Sequence, residues 1–262
     1  MNYIELLGPQ GVGKTTLLNQ LAERRTEEYE WKTYEEAIKE VAQSLSFNEM
    51  KTIYGKVLYL LNKLNPVDFK RMGLASRIIK DAIPEHSENA KSQYDNLFEL
   101  HLSYMANNDL GVSSLKKIQL LNWHVKTLSR YFIFDTIQYQ STIVLDEGLL
   151  KNIYGFSEFH ESKFNTCAMP DAVINCYLSY EENIRRIRER QDKTGRLSIM
   201  HRGTKDKYTL EDRVEMIAKL NNKKVEVIKN ANIPVLDVNM DDILQSDKIK
   251  YVDSFIKKYS IK

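Results

Sequence analysis

Apolar positions along the chain change period several times, and each change marks an element. An apolar run, Tyr3 to Leu7, precedes a glycine loop and predicts a strand over Asn2 to Leu7. After a glycine-rich stretch, Leu17, Leu18, Leu21 and Ala22 recur at helical spacing in a segment starting at Thr15, and Arg24 and Arg25 suit its negative C-terminal pole. Tyr29 to Tyr34 reads as a short second strand ending in Thr33-Tyr34-Glu35-Glu36. From there to about Gln140 only helical patterns occur, punctuated at Pro66, Gly73, Pro84 and Gly111. Between Ser114 and about Phe132, the stripe of Leu115, Ile118, Leu121, Val125, Leu128 and Phe132 predicts a packed helix face. Glu88 to Asn107 repeats the pattern through Tyr94, Leu97, Leu100, Leu102, Tyr104 and Met105. Trp31 and Trp123 read as core residues. Two further apolar runs, Thr142–Leu145 and Asp171–Leu178, predict buried parallel strands. Ser179 and Glu182 have capping-box spacing for a helix from Tyr180 to about Gln191 that buries Ile184 and Ile187. A helix over Thr209–Asn230, a strand over Ile233–Val238, a turn at Asn239–Asp242 and a terminal helix carrying Ile249, Val252, Ile256 and Tyr259 complete the pattern.

Strands alternating with helices predict an α/β fold with a mostly parallel sheet, here one domain over residues 1–262 with a helical insertion at about 36–140. The composition, 28% charged and 42% hydrophobic, is that of a soluble globular protein, and no stretch approaches the roughly 20 apolar residues of a membrane span. With a strand starting at Asn2 there is no room for a signal peptide, so the expected location is cytoplasmic. Cys167 and Cys176 show neither metal-ligand spacing nor a disulfide framework, and Cys176 reads as a small core residue. A net charge of +2 does not by itself argue for nucleic acid, and the five histidines form no pair at metal-binding spacing.

The chemistry centres on Gly8-Pro9-Gln10-Gly11-Val12-Gly13-Lys14-Thr15-Thr16, which fits the phosphate-loop pattern in spacing and in its place between a strand and a helix. Backbone N–H groups wrap a triphosphate only where side chains are absent, and the following helix points its positive end at the anion. Lys14, expected on an exposed loop, supplies a point charge for the β- and γ-phosphates, and Thr15 a hydroxyl ligand for Mg2+. Asp146, at the end of an apolar strand, is expected to hold the same magnesium, and Glu147 to accept a proton from an attacking hydroxyl or water. Glu35 is a candidate acceptor contact. The helical interval offers further pocket candidates in Arg71, Arg77, Tyr94, His101, Trp123, His124 and Arg130, each weighed against ordinary helix packing. Arg185, Arg186, Arg188, Arg190, Arg196 and Arg202 crowd one helix end and loop, and predict a lid at about 185–203 closing over polyphosphate. Arg188 ranks first as the catalytic arginine, then Arg190 and Arg196.

Taken in order, the glycine loop, the long helical interval, the Asp-Glu strand end, the Pro170-Asp171 strand with its arginine-rich helix, and Ile233-Pro234-Val235-Leu236-Asp237-Val238-Asn239 resemble the deoxynucleoside kinase and thymidylate kinase group of phosphate-loop kinases. The resemblance spans nearly the whole chain. It implies phosphoryl transfer from ATP, with Mg2+, to a small-molecule acceptor, most simply a nucleoside or nucleotide. It also implies an arginine lid and an adenine contact from the loop matching Asp237 to Asp241, hence Asp237 and Asn239. The chain departs from the group at Asp146-Glu147-Gly148, where those kinases carry Glu-Arg or Asp-Arg.

Other classes separate by sequence. A GTPase is expected to carry Asn-Lys-x-Asp, and the nearest strings, Asn62-Lys63-Leu64-Asn65 and Asn222-Lys223-Lys224-Val225, lack the aspartate. An ATPase acting as a switch or motor is the main alternative, since Leu145-Asp146-Glu147 also suits activation of water. Kinases of a sugar, another metabolite or a nucleic-acid end stay open, and a homodimer is allowed. A nonenzymatic nucleotide-binding protein needs fewer of these groups.

Overall fold

The computed structural model describes residues 2–25, 31–64, 72–82, 88–107, 114–152, 167–195, 209–241 and 246–260. Five strands, β1 (Tyr3–Leu7), β2 (Trp31–Thr33), β3 (Thr142–Leu145), β4 (Ala172–Tyr177) and β5 (Val235–Asn239), form one sheet in the order β2-β3-β1-β4-β5. All four pairings are parallel, with Tyr3 opposite Ile143 on one side of β1 and Ile4 opposite Ala172 on the other. The central strands are apolar because both faces are covered. Helices α1 (Lys14–Arg24) and α10 (Ser246–Tyr259) bury Leu17, Leu21, Ile249, Val252 and Ile256 against Ile4, Leu6, Val144 and Ile174. Helices α2 (Tyr34–Ser44), α6 (Ser114–Thr136), α7 (Leu149–Asn152) and α9 (Leu210–Asn230) cover the other face, where Val41, Tyr131, Phe134, Leu149 and Ile228 meet Tyr3, Leu7, Ile143 and Val173. The result is the three-layer α/β fold expected, and its sheet is wholly parallel.

The helical interval contributes α3 (Ile53–Leu64), α4 (Met72–Ala82) and α5 (Glu88–Asn107) before α6, and α8 (Tyr180–Thr194) follows β4. No helix among the described residues is long and apolar enough to cross a membrane. The face that α6 buries differs from the predicted stripe. Leu120, His124, Thr127, Leu128, Tyr131 and Phe134 are buried, whereas Leu115, Ile118 and Val125 are 67%, 63% and 42% exposed. Trp123 is 40% exposed and is no core residue, while Trp31 is fully buried. The seam with α5 is built around two histidines: His101 and His124 stack with ring centroids 3.9 Å apart and 20° between planes. Further along the seam, Tyr94 of α5 donates to Asp135 of α6 at 2.6 Å. Two neutral imidazoles fill a seam as flat rings do, a contribution that counting apolar residues does not register.

Helix caps differ from expectation in the same way. Ser179 makes no side-chain cap bond, and the reciprocal half of the box is also missing: the Ser179 N–H donates to Asp241 at 3.3 Å, while the Glu182 carboxylate is held by Arg185 and Arg186. Thr33 and Glu36 form a full capping box that ends β2 and starts α2 at Tyr34, and Thr209 with Asp212 does the same for α9.

Candidate active site

β1 is the strand from which the connections leave in both directions, toward β3 and β2 on one side and β4 and β5 on the other, and ligand crevices of open α/β sheets lie at such a point. The phosphate loop leaves β1 there. Its first turn requires glycine at position 8, where a Cβ would stand 2.2 Å from the Cys176 carbonyl oxygen of β4. Gly13, at φ 106°, is the N-cap residue of α1, which begins at Lys14, one residue earlier than predicted. Val12 is buried in the core beneath the loop, and Thr15 and Thr16 face outward. Gln10 and Gly11 are half-buried at the loop's crest.

Lys14 is only 6% exposed, a correction to its placement on an exposed loop. Its ammonium curls into the loop and donates to the Gly8 and Pro9 carbonyls at 2.8 and 2.9 Å. Burial, with Lys151 near, pushes the ammonium down to about 8. Across the crevice the Thr15 hydroxyl donates to Asp146 Oδ2 at 2.5 Å. Two hard oxygen donors at this separation, one of them a carboxylate, suit a small divalent cation that completes its shell with water and phosphate oxygens, so Thr15 and Asp146 fit Mg2+.

Glu147 stands one residue beyond, its side chain 59% exposed, and pairs with Lys151. Burial opposes its charge, but Lys151, Lys14 and Arg130 outweigh it and hold the carboxyl below the usual range. Arg130 lies 5.0 Å over the ring of Tyr34, the residue before Glu35 in the first turn of α2. Arg130 and Glu35 therefore belong to the β2–β3 side of the crevice. Glu35 is half-buried, whereas its neighbour Glu36 is bound to Arg25 and Thr33.

On the β4–β5 side the structure separates the arginines. Arg186 donates to the Val12 and Met240 carbonyls, each at 3.3 Å, and so bridges the phosphate loop and the turn after β5. Arg188, ranked first from sequence, instead pairs with Glu211 of α9. Arg185 pairs with Glu182 and Glu189, and Arg190 is exposed. Arg196 and Arg202 lie outside the described residues. Asp237 is within β5 and accepts from Asn175 at 2.7 Å and Lys229 at 2.8 Å, while Asn239 accepts from the Asp241 N–H at 2.9 Å. The residue of this turn that approaches the loop is Met240, whose Cε is 3.3 Å from where a Gly13 Cβ would stand.

Sequence reasoning did not single out Glu5. It is fully buried in β1, and its two carboxylate oxygens accept from the Leu150 and Lys151 N–H groups at 3.1 and 3.0 Å. The signal was present, since a lone carboxylate inside an apolar parallel strand needs buried partners. Burial pushes Glu5 up to about 7.

Comparison with known proteins returns a family model described as an AAA domain over residues 3–94, well under half the chain. No curated protein matches. Among solved structures, the chain is similar to deoxyadenosine kinase from M. mycoides with dCMP and a flexible dCDP bound, at 15% identity over 98% of this chain and 99% of that one, with a TM-score of 0.45. The same kinase with bound dATP gives 14% identity, 97% and 98% coverage and a TM-score of 0.39. Shikimate kinase from Bacteroides thetaiotaomicron gives 12% identity, 98% and 97% coverage and a TM-score of 0.34.

Proposed function

We propose that the chain is an ATP-dependent phosphotransferase acting on a small-molecule acceptor, most simply a nucleoside or nucleotide. The observation that carries this reading is the Thr15 hydroxyl 2.5 Å from Asp146, with Glu147 the next residue and near enough to Lys14 to feel its charge. The glycine loop and the N-terminus of α1 bind the phosphates, and Lys14 exchanges its carbonyl partners for phosphate oxygens. Thr15 and Asp146 would hold Mg2+, which would supply positive charge against the phosphates when bound. The acceptor oxygen approaches from the side of Glu147, Arg130 and Tyr34. Its bond to the γ-phosphorus forms as the bond to the β-phosphate oxygen breaks, its proton passes to Glu147, and ADP leaves. A loose transition state asks for this proton late, so a carboxylate of low pKa serves. Arg186 lies where it would meet the nucleotide beside the Val12 backbone.

The AAA-domain match favours a second reading, ATP hydrolysis, in which the same Glu147 orients water. ADP formation measured across nucleosides, nucleotides and sugars, beside an acceptor-free control, separates the two. Stimulation of at least tenfold by one acceptor class is expected for the kinase, a loss of about 1.4 kcal/mol from the barrier. High turnover that no acceptor changes assigns the chain to ATPases.

A further inference from the structure

Behind Asp146 and Glu147 the chain buries a set of charges that the proposed chemistry does not use. Helix α7 has four residues, too few to be stable alone, and its backbone is held by side chains from three other elements. The Leu149 N–H donates to the Tyr131 hydroxyl of α6 at 3.1 Å, and the next two N–H groups donate to Glu5 of β1. On its other side, the Lys224 ammonium of α9 donates to the Leu150 and Lys151 carbonyls at 2.7 and 3.1 Å. Gly148 is glycine because a Cβ there would stand 2.1 Å from Glu5 Cδ. This explains, in physical terms, why the position after Glu147 carries no arginine or any other side chain. Lys151 reaches back from the same turn to Glu147.

Stability alone does not account for this arrangement. A buried carboxylate and ammonium cost more to desolvate than well-packed apolar residues of the same volume. What the pair supplies is a single register: α7 satisfies Glu5 and Lys224 together only when its N–H groups meet one and its carbonyls the other. We propose that Glu5 and Lys224 are positioning residues for phosphoryl transfer. They fix the Gly148–Asn152 segment so that Glu147 stands beside Lys14, and they join the loop strand, the acidic turn and α9 into one body. The consequence for turnover rests on the phosphotransferase reading, whereas the clamp itself does not.

Hydrogen exchange on the intact wild-type protein tests the clamp without any variant. The Leu150 and Lys151 amides are expected to exchange as slowly as those of Val144 and Leu145 in β3, and exchange at the rate of an open turn would overturn the proposal. Steady-state kinetics then test the consequence. Glu5→Gln keeps one acceptor oxygen and the shape, and is expected to lower kcat on the order of 10²-fold, leave KM for ATP within about threefold, and speed exchange at Leu150 and Lys151. Lys224→Met is expected to lose turnover similarly, and Lys224→Arg to recover most of it. Wild-type kcat in Glu5→Gln, or a loss of kcat in proportion to the folded fraction by circular dichroism, would reduce the pair to a structural role. A protein with neither transfer nor hydrolysis sinks the functional reading, and exchange at Leu150 and Lys151 then decides the clamp alone.

Discussion

Arg186 and Arg188 are two positions apart on α8, about 200° around the helix, and the difference in direction decides their partners. Arg186 reaches the backbone of the phosphate loop, and Arg188 reaches Glu211. Arg186→Ala is therefore expected to weaken ATP–Mg binding about tenfold, the order of one charge-assisted hydrogen bond, with Arg188→Ala within about twofold of wild type, as exposed ion pairs contribute little. Calorimetric titration of both variants checks this, and the opposite ranking would return Arg188 to the site. From sequence alone, Arg188 ranks first because it lies one helical turn beyond Ile184 and close to the helix end. That spacing places a residue on a face but does not say which neighbour covers the face, and Glu211, twenty-three residues on, does so here. Lys14 and Thr15 were legible because a phosphate loop is a local pattern whose geometry follows from its own residues, and Asp146, 131 positions beyond Thr15, because it ends an apolar strand. Glu5 was not, because its partners Leu150, Lys151 and Lys224 come from two distant segments.

At the scale of elements, the α5–α6 seam shows why helices were located well and their faces less well. The boundaries of both follow from helix period, yet the buried face of α6 passes through His124 and Thr127, which a hydrophobic count assigns to solvent. Burial, with Lys224 near, pushes His101 down to about 4, and burial, with His101 stacked on it, pushes His124 down to about 3. The unfolded chain binds these protons near the ordinary histidine value of about 6.5, and the folded one does not until well below it. Stability contributed by the neutral pair is thus present above about pH 6.5 and is lost as pH falls toward 4 and 3, by at most about 1.4 kcal/mol per pH unit for each ring. Glu5, raised to about 7 by burial, acts in the opposite sense: its contribution is present below about pH 4.5 and is lost as pH rises through 7. Replacing both histidines with leucine is expected to flatten the fall in unfolding free energy between pH 6.5 and 4. Urea titrations at each pH test it, and a double variant as acid-sensitive as wild type would assign that sensitivity to the carboxylates.

For the whole molecule, the five-stranded order could be anticipated as an α/β sheet but not as this sequence of neighbours, because strand order depends on contacts between segments far apart in the chain. It places the loop strand between the strands of Asp146 and Asn175, so nucleotide bound at the loop is expected to brace the entire sheet. At about one hundred times its Kd, a ligand specific for the folded state adds about 2.7 kcal/mol, and ATP–Mg is expected to raise Tm by roughly 5–10 °C. GTP–Mg is expected to raise it less, and Lys14→Ala to abolish the shift while keeping the wild-type circular dichroism spectrum. An equal shift with both nucleotides would remove the preference for adenine. The central place of β1 also bears on how the protein is made. β1 leaves the ribosome before either of its neighbours, and Ile143, which sits opposite Tyr3, follows roughly 7 to 30 s later at about 5–20 residues per second. For that interval a nearly all-apolar strand has both hydrogen-bonding edges open, and its one charged side chain, Glu5, is the residue that keeps the nascent segment from being wholly greasy. The carboxylate proposed to clamp the finished crevice is thus also the one charge this strand presents during that interval, and Glu5→Leu is expected to raise the insoluble fraction of newly made chains.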